Sequence, residues 1–320
     1  MARLRAPARS RGLLDFLKIH RRGVLILAVA LLFLYAVVPQ IAGFGKSLTA
    51  LREANLGWVA AAFGCWCVIY LLAAALYHIL ALHPLTFIRT VEAQVASGFT
   101  SKLLPSGLGV IGLYIQYLRR YRHTLGEAVA VVSLNNLAAI VGHIGLVVIV
   151  IAVGAPLPQL DTERLIPGTA SLWLIGAAAC LAVAALVFFR RKLRIFWQSI
   201  VKTLTVYRRR PGKVIWAIVV SMPQTAAYIG VLYASMLALG GELDIRAVFM
   251  VATFSMLVGT LVPVPGGIVG AEAGLTAGFV AYGFSVPEGL AIALIYRAFI
   301  YWLPIVPGLI VFAYRRRDYM

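Results

Sequence analysis

The chain has 320 residues, 62% of them hydrophobic and 12% charged, with a mean hydropathy of +0.93 and a net charge of +18. A soluble domain carries about twice that charged fraction, so the composition excludes a soluble enzyme, and the apolar runs are long enough to span a bilayer. The surplus positive charge lies in runs flanking those spans, where the positive-inside rule and contact with anionic lipid account for it; this argues against a nucleic-acid partner.

Residues 1–23 form a basic tail, with Arg3, Arg5, Arg9, Arg11, Lys18, Arg21 and Arg22. The run at 24–44 is too long for a signal-peptide core and has no clear small-residue cleavage site after it, so it reads as a retained span. The next, 57–82, carries Cys65 and Cys67, which face different directions on one helix. They and Cys180 read as small buried hydrophobes, with neither a zinc site nor a disulfide framework.

The run at 91–118 is bracketed by Arg89 and by Arg119, Arg120 and Arg122. Both flanks belong on the cytoplasmic side, so the segment must enter and leave on one face. Its middle holds LPSGLG at 104–109, and such a break is tolerated at membrane depth only inside protein or against a wet cavity. A span at 127–153 follows, then an external loop at 154–169 bearing Asp161, Glu163 and Arg164.

The second half begins with a span at 170–189 and a basic cytoplasmic loop at 190–213, which carries nine Lys/Arg. A span at 214–239 leads through the outer loop 240–246 into the run 247–282, about 36 residues. At ~1.5 Å per residue that run overshoots a ~30 Å hydrocarbon core, and VPVPGG at 262–267 breaks it. A last span, 288–314, delivers Arg315, Arg316 and Arg317 to the cytoplasmic tail at 315–320.

The two halves match each other. Pro105-Ser106-Gly107 lies over Pro265-Gly266-Gly267 at an offset of 160, and one residue later in register Gly126-Glu127 lies over Pro287-Glu288. Each half crosses the membrane an odd number of times, so the halves run in opposite directions. The predicted fold is an all-α polytopic membrane protein with an inverted repeat (24–153 and 170–314), about six spanning helices and two re-entrant helical hairpins, a recurrent transporter design.

Intramembrane charge marks candidate sites. Lys102 precedes the first break, Glu272 follows the second, and Arg297 lies within the last span. Glu272 and Arg297 have the chemistry of an ion pair, while Lys102 either snorkels to the interface or awaits an anionic group. The three sum to one net positive charge, which a phosphate-bearing substrate would balance with help from half-helix N-termini at the breaks. Pro105, Gly107, Pro265, Gly266 and Gly267 form the breaks themselves. Asn135, Asn136 and His143 give a polar stripe that either lines a path or bonds helix to helix; Tyr296, Tyr301 and Trp302 accompany Arg297 as packing or as a ligand platform. No catalytic set, nucleotide-binding motif, metal cluster or cofactor signature emerges, so the expectation is a non-enzyme that needs no cofactor.

PVPGGIVGAEAG at 263–274 and YRAFIYWLPIVPG at 296–308 resemble the flippase-like membrane region of lysylphosphatidylglycerol synthases. The matching positions are Pro265, Gly266, Gly267, Glu272, Arg297, Tyr301 and Trp302. The first half departs from the pattern, with Val110-Ile111-Gly112 and Asn135-Asn136 where family members often carry acidic and arginine residues. The resemblance implies a stand-alone, lipid-handling member without the synthase domain. The expected function is translocation of a polar or phosphate-bearing lipid between leaflets of a bacterial inner membrane, with membrane lipid as partner and both termini cytoplasmic. Alternatives are a secondary transporter of a small anionic solute, and a non-transporting partner of an envelope-lipid enzyme docked on the 190–213 loop.

Overall fold

A computed structural model of the chain describes residues 50, 52, 54–103, 108–156, 203, 205–261 and 268–315. Among the described residues the regular elements are all helices: α1 (Leu56–Leu80), α2 (Phe87–Leu103), α3 (Leu108–Arg120), α4 (Leu125–Ala152), α5 (Pro211–Ala238), α6 (Ile245–Leu261), α7 (Ile268–Ala281), α8 (Val286–Arg297) and α9 (Ile305–Tyr314). A π-helical turn, Ala298–Trp302, joins α8 to α9. The spans expected at 24–44 and 170–189 lie outside the described residues.

Among the described residues, four stretches are long and apolar enough to cross a membrane: α1, α4, α5 and the composite Val286–Tyr314. Local chemistry fixes where they start. Asn55 caps α1 by accepting a bond from Gly57 N at 2.9 Å, satisfying one of the orphan donors of a helix N-terminus. Thr124 and Glu127 form a reciprocal capping box at the head of α4, and Ser285 and Glu288 form the same device at the head of α8. Broad apolar side chains such as Phe63, Leu71, Ile144, Val148, Ile215 and Trp216 face outward. An exposed apolar band of that extent belongs in lipid, and the protein is a multi-pass membrane protein.

Helices α2 and α3 form an antiparallel hairpin. The Thr90 and Tyr117 hydroxyls meet at 2.9 Å, and the Tyr114 hydroxyl donates to Gln94 Oε1. Near the tip, Gly109 lies so close to α2 that a Cβ there would fall 1.9 Å from the Thr100 carbonyl oxygen. Helices α6 and α7 form a second antiparallel hairpin. Val251 faces Gly278, Ser255 faces Gly274, and Ser255 Oγ donates to the Ala271 carbonyl at 3.0 Å. Without a solvent-driven hydrophobic force between helices in lipid, such small-residue crossings supply the packing contact.

The hairpins open toward opposite ends of the bundle. At one end Arg315 pairs with Glu92 at 3.0 Å, and His123 Nε2 accepts from Leu82 N at 3.0 Å, so the start of α2, the end of α3 and the end of α9 lie together. At the other end Arg246 donates to the Val153 carbonyl at 3.0 Å and the Tyr282 hydroxyl to that of Pro156 at 2.7 Å, placing both ends of the second hairpin beside the end of α4. Helix α1 packs antiparallel on α5: Asn55 N donates to Ala238 O at 2.7 Å, while Lys213 Nζ reaches Ile79 O at 2.7 Å.

Candidate functional site

Three charged side chains come together from three elements: Lys102 from the last turn of α2, Glu272 from α7, and Arg297 from the end of α8. Arg297 is the twelfth residue of a composite span of 29, near its middle. Arg297 is buried, 5% exposed, and its Nε lies 3.3 Å from Glu272 Oε1. The pair is thus formed, and it ties the second hairpin to the last span. A lone charge at that depth would cost about 2.5–3.5 kcal/mol, and a partner that contacts it removes much of the penalty.

Tyr301 completes the cluster. The Arg297 guanidinium carbon lies 4.7 Å from the centre of the Tyr301 ring, and Lys102 Nζ lies 4.2 Å from the same centre. Both cations therefore rest on one aromatic quadrupole, a geometry favoured by roughly 0.5–2 kcal/mol each. Trp302 meets Tyr301 edge-on at 5.0 Å.

The local sequence explains the arrangement. Pro304 has no N–H, and its ring opposes the carbonyl four residues back. The chain relieves that conflict with the π turn, closed by Leu303 N donating to Ala298 O at 2.8 Å. π turns of this kind insert one residue into helical register and recur at functional sites. Gly98 lets α2 press on the same junction: a Cβ there would lie 2.7 Å from Pro304 Cβ. Lys102, one turn beyond Gly98, is thereby carried to the Tyr301 ring rather than to the interface.

The remaining expected residues are placed differently. Tyr296 is half-buried in the packing between α1, α5 and α8. His143 stacks on Phe249 at 5.5 Å, with its Nε2 3.4 Å from Thr253 Oγ1, so it serves the contact of α4 with α6. Asn135 is half-buried and Asn136 exposed on α4; among the described residues no hydrogen bond or ion pair joins them or His143 to the charged cluster. Pro105, Gly107, Pro265, Gly266 and Gly267 lie outside the described residues.

Two features escaped the sequence reading. Tyr301 stood there only as one of several aromatics accompanying Arg297, not as the ring on which both cations rest. The other is a groove of about 580 Å³ along one face of α7 and the start of α8, lined by Glu272, Thr276, Val280, Val286 and Leu290. Its walls are apolar apart from Glu272 and Thr276, and Thr276 Oγ1 is buried there without a hydrogen-bond partner among the described residues.

The sequence matches the family described as Lysylphosphatidylglycerol synthase TM region over residues 23–308. No curated protein matches it.

Proposed function

The chain belongs to the lysylphosphatidylglycerol synthase transmembrane-region family, and on that premise we propose that it moves a polar, phosphate-bearing lipid between leaflets of a bacterial inner membrane. The observation that carries the proposal is the cluster of Lys102, Glu272, Arg297 and Tyr301 at mid-span. Two cations against one carboxylate leave a single positive charge where a phosphate headgroup would cross. The groove running from Glu272 along α7 offers an apolar track for acyl chains, which favours a lipid over a small solute.

The architecture supports the same reading. Antiparallel packing of α1 on α5, hairpins opening toward opposite ends and matched capping boxes on α4 and α8 are what an inverted repeat produces. On this reading the hairpins are re-entrant, and the headgroup crosses between them. The end bearing Arg89, Arg119 and Arg315 is cytoplasmic, and the protein is a transporter rather than an enzyme.

The test is lipid scrambling in proteoliposomes, with headgroup-labelled anionic and zwitterionic phospholipids supplied in parallel. Lys102→Ala and Arg297→Ala are expected to abolish movement while the protein stays monodisperse and helical. Wild-type flux in both variants would reject the mechanism; uptake of a small anion without any lipid movement would replace it with solute transport.

A further inference from the structure

We propose that a second pocket, at the arginine-rich end of the bundle, binds a phosphate-bearing anion. It encloses about 430 Å³ between the end of α1, the head of α4 and the segment entering α5, with His83, Glu127, Val206, Arg208, Arg209 and Arg210 in its lining. That volume lies within the roughly 300–1,000 Å³ typical of small-ligand sites, ample for a diphosphate or a lipid headgroup. None of these residues belongs to the mid-span cluster.

The charge balance is one-sided: three arginines and a single carboxylate line the pocket. Glu127 is already engaged, since its Oε2 accepts from Thr124 N at 2.8 Å and Thr124 Oγ1 at 2.9 Å and lies 3.6 Å from His83 Nε2. Among the described residues, Arg208 and Arg209 have no ion pair. Planar guanidinium forks match phosphate oxygens in pairs, which lysine cannot do.

Topogenic charge alone asks nothing of geometry, yet this segment is tied down. The Tyr207 hydroxyl donates to Leu80 O at 2.6 Å, Arg210 Nη1 to Leu82 O at 3.1 Å, and Lys213 Nζ to Ile79 O at 2.7 Å. These bonds satisfy carbonyls that the end of α1 leaves open, and they hold the backbone of the arginine run against the pocket. A site ordered before its ligand arrives loses less entropy on binding.

The full chain is reconstituted in phosphatidylcholine nanodiscs and titrated with inorganic pyrophosphate, with thermal unfolding and calorimetry as readouts. A parallel sample carries phosphatidylglycerol in the disc and no pyrophosphate. Stabilisation by pyrophosphate identifies a free phosphate compound as the ligand; stabilisation by phosphatidylglycerol alone identifies a lipid headgroup. In either case Arg208→Ala/Arg209→Ala is expected to weaken the effect at least about tenfold, the loss of charge-assisted hydrogen bonds. Arg119→Gln/Arg122→Gln, which removes equal charge from the same end, should leave it intact. Should the double variant misfold, Arg209→Glu alone carries the test. No stabilisation by either probe, or an equal loss in the Arg119/Arg122 control, would overturn the proposal.

Discussion

Lys102 and Arg297 address one ring: the ammonium lies 4.2 Å and the guanidinium carbon 4.7 Å from the centre of Tyr301. The two like charges are held in one neighbourhood by an uncharged group between elements that are distant in sequence. Tyr301 is buried, so the ring is fixed by packing and acts as a platform. Both cations lie over the face of its ring, where its quadrupole meets them. Tyr301→Phe is therefore expected to keep lipid flux within about twofold of wild type, whereas Tyr301→Leu should slow it at least about fivefold. Equal losses in the two variants, measured by scrambling, would shift the role to the hydroxyl.

The Glu272–Arg297 contact predicts an asymmetric stability effect. Glu272→Gln removes the carboxylate that faces an almost fully buried arginine, while Glu272 itself keeps partial exposure, with 21% of its side chain accessible. The expected loss is about 1–3 kcal/mol, between the values for exposed and for fully buried pairs. Glu272→Gln/Arg297→Gln should recover part of it, giving non-additivity of about 0.5–3 kcal/mol in a double-mutant cycle. Thermal unfolding in nanodiscs provides the readout, and strict additivity would show that the two groups do not interact.

Both hairpins could be read in the sequence because their causes are local. Closely spaced prolines and glycines disfavour a continuous helix, and Arg89 and Arg119 flank one run with the same topogenic sign. The Glu272–Arg297 pair was readable too, since an intramembrane charge must find a partner. Lys102's place was not: it depends on Gly98 meeting Pro304 across some two hundred residues and on a π turn that shifts register. Helical spacing likewise put Asn136 and His143 on one face, but spacing is blind to Phe249, the ring on which His143 stacks. The capping boxes at Thr124 and Ser285 follow a known spacing; the register match had already aligned Glu127 with Glu288 without giving the reason.

His123 predicts a pH dependence at the basic end. It is buried between α3 and α4, and its Nε2 accepts from both Leu82 N at 3.0 Å and His83 N at 3.3 Å. Nδ1 lies 3.0 Å from Leu118 O, so the neutral ring carries its proton there. Burial lowers its pKa most, and neighbouring His83 lowers it further, against opposing contributions from the Leu118 and Tyr121 carbonyls and Glu127. A folded pKa below the ordinary value of about 6.5 means this stabilisation is complete above about pH 6.5. It is lost as pH falls through the lowered folded value, when Nε2 turns from acceptor to donor. The expected loss is about 1–3 kcal/mol. His123→Ala should flatten the acid limb of an unfolding-versus-pH profile, while His83→Asn should leave it in place.

Hairpin closure rests on a single missing methyl group. At Gly109 the nearest atom to an added Cβ is the Thr100 carbonyl oxygen at 1.9 Å, followed by its carbonyl carbon at 2.7 Å. Backbone cannot swing aside as a flexible side chain does, so Gly109→Ala must part α2 from α3. The parting costs about 1–3 kcal/mol or more. It also displaces Lys102, two residues beyond Thr100, from the Tyr301 ring. Gly112, one turn along the same helix, has no atom within 4 Å of its added Cβ. Gly112→Ala is expected to be neutral or to stabilise by about 0.5–1 kcal/mol through helix propensity. Thermal unfolding of the two variants, compared with their scrambling rates, separates the crossing from composition. If Gly109→Ala matches Gly112→Ala in both measurements, the close approach of α2 and α3 is not what positions Lys102.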